Sequence, residues 1–300
     1  MKNRKGFIFI LLAGSLWGTI GLFSKILNTY GISSSASAFV RIFSASVILM
    51  LYILLKNRKM FRISRNGLIC AFINGAVGQA LYNICYTSSV NCAGVAVSSV
   101  LLYLSPVFVF LFSLVFGDET SAAYKLPGII LNIAGCALAA GVSGAMNFAG
   151  IISLVPGILS ALAYAFMTIW SSKCLKDTDK LTFLFYSMLS GSICLLTTSP
   201  LSEIVPVLEM KMLFVSCAYG LFTTVIPYLL YYSGLSVIED LSGVPVIASV
   251  EVVVASVIGI FLFGEEAGIT KTAGIVLVLL SIVLINLKAL LNMEKHRSPF

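Results

Sequence analysis

The chain has 300 residues, of which 59% are hydrophobic and only 10% charged, with a mean hydropathy of +1.04 and a formal net charge of +7. Soluble globular domains carry about 25% charge, so this composition excludes a water-soluble domain and describes an integral membrane protein. Its apolar runs are about 20 residues long and do not alternate, which selects helices rather than a barrel as the way to satisfy backbone hydrogen bonds in lipid.

Ten spans are expected in chain order: Phe7–Leu27, Ser35–Leu55, Gly67–Tyr86, Gly94–Phe116, Leu126–Ala145, Ile151–Lys173, Leu181–Ser199, Met212–Tyr232, Leu241–Phe263 and Thr270–Leu290. The opening Lys2-Asn3-Arg4-Lys5 before an apolar run resembles a signal peptide. Many similar segments follow and no clear small-x-small cleavage site precedes a mature domain, so it is expected to stay as an uncleaved first span. The connections are mostly short and leave no room for a soluble domain.

The positive charge would suit nucleic acid if it formed one patch, but it is distributed over loops. With the N-terminus in the cytoplasm and ten alternating spans, fifteen of the 19 Lys and Arg residues fall inside, Lys25, Lys211 and Lys271 fall outside, and Arg41 lies within a span. This asymmetry predicts a multi-pass protein of the plasma (inner) membrane with both termini cytoplasmic and no nucleic-acid partner. The basic loop from Lys56 to Arg65 is read as a topology anchor, with contact to anionic lipid as the alternative. The seven cysteines show no metal spacing and no disulfide framework, and the single histidine, His296, lies in the polar tail.

The chain repeats itself. Tyr82, Tyr86, Val100, Glu119, Lys125, Gly128, Ile129, Leu131 and Leu138 each have an identical residue 146 positions later, from Tyr228 to Leu284, with no gap. This predicts a first five-helix repeat over 1–146, a second over 147–292 and a cytoplasmic tail over 293–300. Five is odd, so the second copy must enter the membrane upside down. The expected fold is therefore all-α and polytopic, ten transmembrane helices in two inverted five-helix repeats. Secondary transporters use this arrangement around a midplane site.

Depth identifies the candidate site. At 1.5 Å rise per residue, the middle of a roughly 30 Å core lies about ten residues from either end of a span. That places Trp17, Gln79, Pro106, Tyr164, Thr224 and Glu251 near the midplane. A carboxylate there costs a few kcal/mol unless it is paired, protonated or facing water, so Glu251 is a candidate to bind a substrate amine or a coupling proton; a helix-packing hydrogen bond is the alternative. Arg41 lies roughly 9 Å deep and either faces the cavity or snorkels outward. Gln79, Tyr82, Asn83 and Tyr86 recur every three or four residues, hence on one helix face that lines a cavity or joins helices. Tyr228 and Tyr232 repeat the tyrosine pair, and for Tyr86 and Tyr232 an interfacial aromatic belt is the competing role. Pro106, Pro156, Pro227 and Pro245 are candidate kinks. No P-loop, H-E-x-x-H or G-x-S-x-G is present, so ATP-driven transport and hydrolase chemistry by this chain are not expected. No cofactor is expected.

Each half also resembles the EamA-type domain of the drug/metabolite transporter superfamily. The first opens with Gly14-Ser15-Leu16-Trp17-Gly18, and span 2 carries Val40-Arg41-Ile42-Phe43. Span 4 has Leu104-Ser105-Pro106-Val107-Phe108 and ends at Phe116-Gly117-Asp118-Glu119, and span 9 has Val250-Glu251-Val252-Val253 before Leu262-Phe263-Gly264-Glu265. Val252 replaces the family's proline after Glu251, Asp118 is inserted before Glu119, and Tyr164-Ala165 replaces Trp-Ala. The resemblance implies a carrier of small organic metabolites in the lipid bilayer, most often an exporter of amino acids or related compounds. Uptake or exchange on the same fold, a membrane enzyme acting on lipid-linked substrate and a non-transporting scaffold are the alternatives. Protons are the candidate coupling ion, and oligomeric state stays open.

Overall fold

The computed structural model describes residues 2–115, 125–140, 151–204, 207, 209–238, 241–266 and 268–295. Among the described residues the regular structure is helical throughout. Six helices are long and apolar enough to cross a bilayer: α1 (Arg4–Asn28), α2 (Ser34–Lys56), α3 (Arg65–Val95), α6 (Val155–Cys174), α8 (Met210–Leu235) and α9 (Leu241–Phe263). Four shorter apolar helices complete the set: α4 (Val97–Phe112), α5 (Leu126–Ala139), α7 (Lys180–Leu196) and α10 (Ile269–Ile285). The segment Phe116 to Glu119, the expected end of span 5 at Ala145, His296 and Arg297 lie outside the described residues.

The helix starts follow from local chemistry. The Ser33 hydroxyl accepts from Ala36 N to cap α2, and the Asp179 carboxylate accepts from Leu181 N and Thr182 N to cap α7. The two caps stand 146 residues apart. Gly264, at φ 66°, closes α9 in the left-handed conformation that glycine adopts without strain.

Other irregularities recur at the same shift. A π-helical stretch occupies Asn74–Leu81 in α3 and Leu221–Val225 in α8. The chain breaks between α-helical pieces at Tyr103–Leu104 and again at Ser249, leaving the half-helices Ser105–Val115 and Val250–Phe263. α1 also breaks, at Gly18–Thr19, whereas its counterpart α6 runs unbroken from Val155 to Cys174.

Packing repeats as well. α5 lies along α10, where a side chain on Gly128 would strike Ile285 and one on Gly274 would strike Ala139. Those two contacts interchange under the 146-residue shift. α2 packs on α7, and each also receives a π-helical stretch of the opposite repeat: Gly75 lies against Ser187, Ser190 and Gly191 of α7, and Gly220 lies against Ser44 and Ala45 of α2. Small residues let the backbones approach this closely in lipid, where van der Waals packing rather than water exclusion joins helices.

At one end of the bundle Glu203 accepts a hydrogen bond from Ser33 N at 2.9 Å. Hydrogen bonds from the Ser33 side chain and backbone hold the Glu203 carboxyl below the usual carboxylate range. The pair lies outside the spans and is solvated, so its effect is small. Its stabilisation is present above the unfolded carboxyl pKa and is lost as pH falls through the folded value. Glu203→Gln is expected to lower the melting temperature by no more than a few degrees near neutrality. The difference from wild type should vanish in acid, and a pH-independent difference would contradict it.

Candidate functional site

A cavity of about 660 Å³ runs from mid-bundle to one end of the molecule. Its mouth is lined by Lys25, Asn28, Ser34, Phe263, Glu265 and Lys271, and its floor by Trp17, Arg41, Glu251 and the C-terminal half of α3. Four elements supply the residues of its floor. The break in α1 brings Trp17 and Gly18 to the floor. α2 supplies Arg41. α3 supplies Tyr82, Asn83 and Tyr86 after its π-helical stretch, and the half-helix of α9 supplies Glu251.

The two charges on the floor are held differently. Arg41 is 4% exposed and does not snorkel. Its Nη2 donates to Asn83 Oδ1 at 3.2 Å and its Nη1 to Thr224 Oγ1 at 3.4 Å. Asn83 in turn donates to the Gln79 carbonyl at 2.6 Å. Glu251 accepts from the Tyr103 hydroxyl at 3.0 Å and sits in the first turn of its half-helix, where the helix dipole favours a negative group. Both line one cavity, so a guanidinium and a carboxyl group face the same space.

The other end is sealed. Trp17 packs on Tyr228 and Tyr231 with ring centroids 5.2 and 5.1 Å apart. Tyr231 shares a 2.7 Å hydrogen bond with Thr168. Asn74 donates to the Tyr232 hydroxyl at 3.0 Å and to Ser187 at 3.3 Å, while Ser171 donates to Asn74 Oδ1 at 2.9 Å. These polar groups are buried and mutually satisfied, which is how polar side chains join helices in a membrane. The Trp17 indole Nε1 is an exception, buried with no hydrogen-bond partner.

Of the residues expected at the site, Trp17, Arg41, Tyr82, Asn83, Tyr86 and Glu251 line the cavity. Gln79, Tyr164, Thr224 and Tyr228 do not. Gln79 turns to the sealed side, accepting from the Tyr228 hydroxyl at 3.1 Å and donating to Met167 Sδ at 3.4 Å. Its separation from Tyr82 and Tyr86 follows from the π-helical stretch ending at Leu81, which rotates the face that a 3.6-residue period would keep continuous. Tyr164 packs against the Tyr82 ring, and Thr224 lies behind Arg41. Tyr86 stacks on Tyr82 and hydrogen-bonds Ser99.

Tyr103, the partner of Glu251, was not expected from sequence. The signal available for it was its place three residues before Pro106, opposite Ser249 in the repeat. The prolines divide as well. Pro106 begins the half-helix after the α4 break, and Pro227 follows the π-helical stretch of α8. Pro156 stands in the first turn of α6 rather than within it, and Pro245 precedes the α9 break at Ser249 by four residues. That break is held by Asn132, which donates to Ser249 at 2.6 Å and to Ser281 at 3.0 Å. Among the described residues no cluster of three or more His, Cys, Asp or Glu side chains is placed to hold a metal ion.

The model of the EamA-like transporter family matches residues 4–141 and again residues 150–287. An uncharacterized transporter of Archaeoglobus fulgidus is 26% identical over 283 residues, covering 94% of this chain and 96% of its own length. The uncharacterized inner membrane transporter YicL of Salmonella typhimurium is 26% identical over 200 residues, 65% of this chain and 66% of that protein. One solved crystal structure superposes with a TM-score of 0.75 over 95% of this chain and 98% of that chain, at 16% identity, a likeness of fold alone.

Proposed function

This chain belongs to the EamA-like transporter family, and from that premise we propose that it carries a small zwitterionic solute, an amino acid or a related compound, by alternating access. The observation that supports this reading is the pairing of Arg41 and Glu251 on the floor of one cavity. A carboxylate fits the guanidinium, and an ammonium fits Glu251.

Placing the N-terminus in the cytoplasm, as the distribution of Lys and Arg favours, makes the cavity mouth external and the sealed end cytoplasmic. The inverted repeats then supply the second state, in which the sealed end opens and the mouth closes. Export across the inner membrane is the proposed direction, with Glu251 as the group that also carries a coupling proton.

The test is flux in proteoliposomes with radiolabelled amino acids and gradients imposed in each direction, with and without a pH difference. Saturable, substrate-selective flux is expected. Flux that needs an inward gradient only would replace export by uptake, and flux indifferent to protein would leave a scaffold role instead.

A further inference from the structure

Eight residues of α1 line the cavity, and among them Gly18, Gly21, Leu22, Lys25 and Asn28 recur at the three- and four-residue spacing of one helix face. The two glycines on this face differ. A Cβ on Gly18 would meet Val254 and the Glu251 carbonyl, so Gly18 lets α1 pack on α9. A Cβ on Gly21 would meet nothing within 4 Å. Gly21 is exposed, and what it is exposed to is the cavity.

The second repeat fills the same place. Counted 146 residues on, Gly21 corresponds to Met167 of α6. Met167 is 1% exposed, and its sulfur accepts from Gln79 at 3.4 Å and from Tyr228 at 3.8 Å. A thioether occupies the sealed half at the position where the other half has no side chain at all. Gly21 also lies three residues nearer the mouth than Gly18, which sits beside Glu251. Gly21 therefore stands on the cavity wall between the mouth residues Lys25 and Asn28 and the floor at Gly18.

We propose that Gly21 is the size-determining residue of the solute path: its missing side chain admits solutes with bulky side groups to Glu251 and Arg41. This rests on the transport reading above and adds a substrate class to it, amino acids with large apolar side chains as well as small ones.

The test is a series, Gly21→Ala, Gly21→Leu and Gly21→Met, with two readouts. In the first, Glu251→Cys reports access to the floor through its labelling rate with a methanethiosulfonate ethylammonium reagent, read peptide by peptide so that the native cysteines do not interfere. Tyr103→Cys serves as a second reporter, since Tyr103 touches Glu251. Labelling is expected to slow with side-chain size, by about tenfold or more for Gly21→Met, since one badly fitted group in a pocket costs that much. Melting temperatures should stay within a few degrees of the parent, because the added atoms enter open space. Labelling in Gly21→Met at the parent rate overturns the proposal. So does a melting temperature that falls in step with labelling, which would make Gly21 a packing residue.

In the second readout, flux of glycine, leucine and tryptophan is compared across the series in the background without reporter cysteines. Loss should be greatest for tryptophan and least for glycine, and equal loss for all three overturns the size role. If the parent carries none of the three, the amino-acid reading fails, while the labelling arm still decides whether position 21 controls access.

Discussion

Glu251→Gln is expected to cut solute flux by about ten- to a hundredfold and to remove its dependence on pH. The exchange keeps the side chain's size and leaves an oxygen to accept from Tyr103, whose hydroxyl now donates to the carboxylate at 3.0 Å. The fold should therefore survive, and the loss isolates the charge. A hydrogen bond to a charged group contributes roughly 1.5–3 kcal/mol, and each 1.4 kcal/mol is tenfold in affinity, which sets the range. The carboxylate lies in the first turn of a half-helix at the floor of the cavity, so a bound ammonium would meet it away from bulk water. Flux and pH profile are measured with protein of verified insertion. If both match wild type, Glu251 neither binds the amine nor carries the proton, and it reverts to a helix-joining hydrogen bond with Tyr103.

Arg41→Gln is expected to weaken solute affinity by about a hundredfold, and Arg41→Lys should not restore it. The guanidinium reaches two partners at once, Asn83 on α3 and Thr224 on α8. A lysine ammonium is a single point charge and cannot reproduce that fork. Truncating one member of a buried charged pair costs 2–5 kcal/mol, the order of the loss expected if a solute carboxylate is the third partner. Binding isotherms and melting curves separate the roles: a lower melting temperature with unchanged affinity would confine Arg41 to joining α2 with α3 and α8.

Several features were legible before any fold. The duplication was visible because identical residues recur at one spacing. Glu251 was found by counting, since helix rise and bilayer thickness convert residue number into depth. Arg41 was found as the charge inside an apolar span, but the sequence left open whether it snorkels. Its burial against Asn83 and Thr224 depends on residues 42 and 183 positions away, a distance no local pattern spans. Gln79 was expected beside Tyr82 because both fit a 3.6-residue period, and the π-helical stretch breaks that period just before Tyr82.

What the sequence determined by itself is what lipid demands along one dimension: a series of apolar helices and two copies of one module. Lipid constrains each span separately, so these are readable one segment at a time. Which end of the bundle is open was decided only in the tertiary structure. The face of α6 with Met167 and Thr168 meets Gln79 and Tyr231 while the matching face of α1 with Gly21 and Leu22 meets open space. That difference lies in contacts between helices, which no single span records.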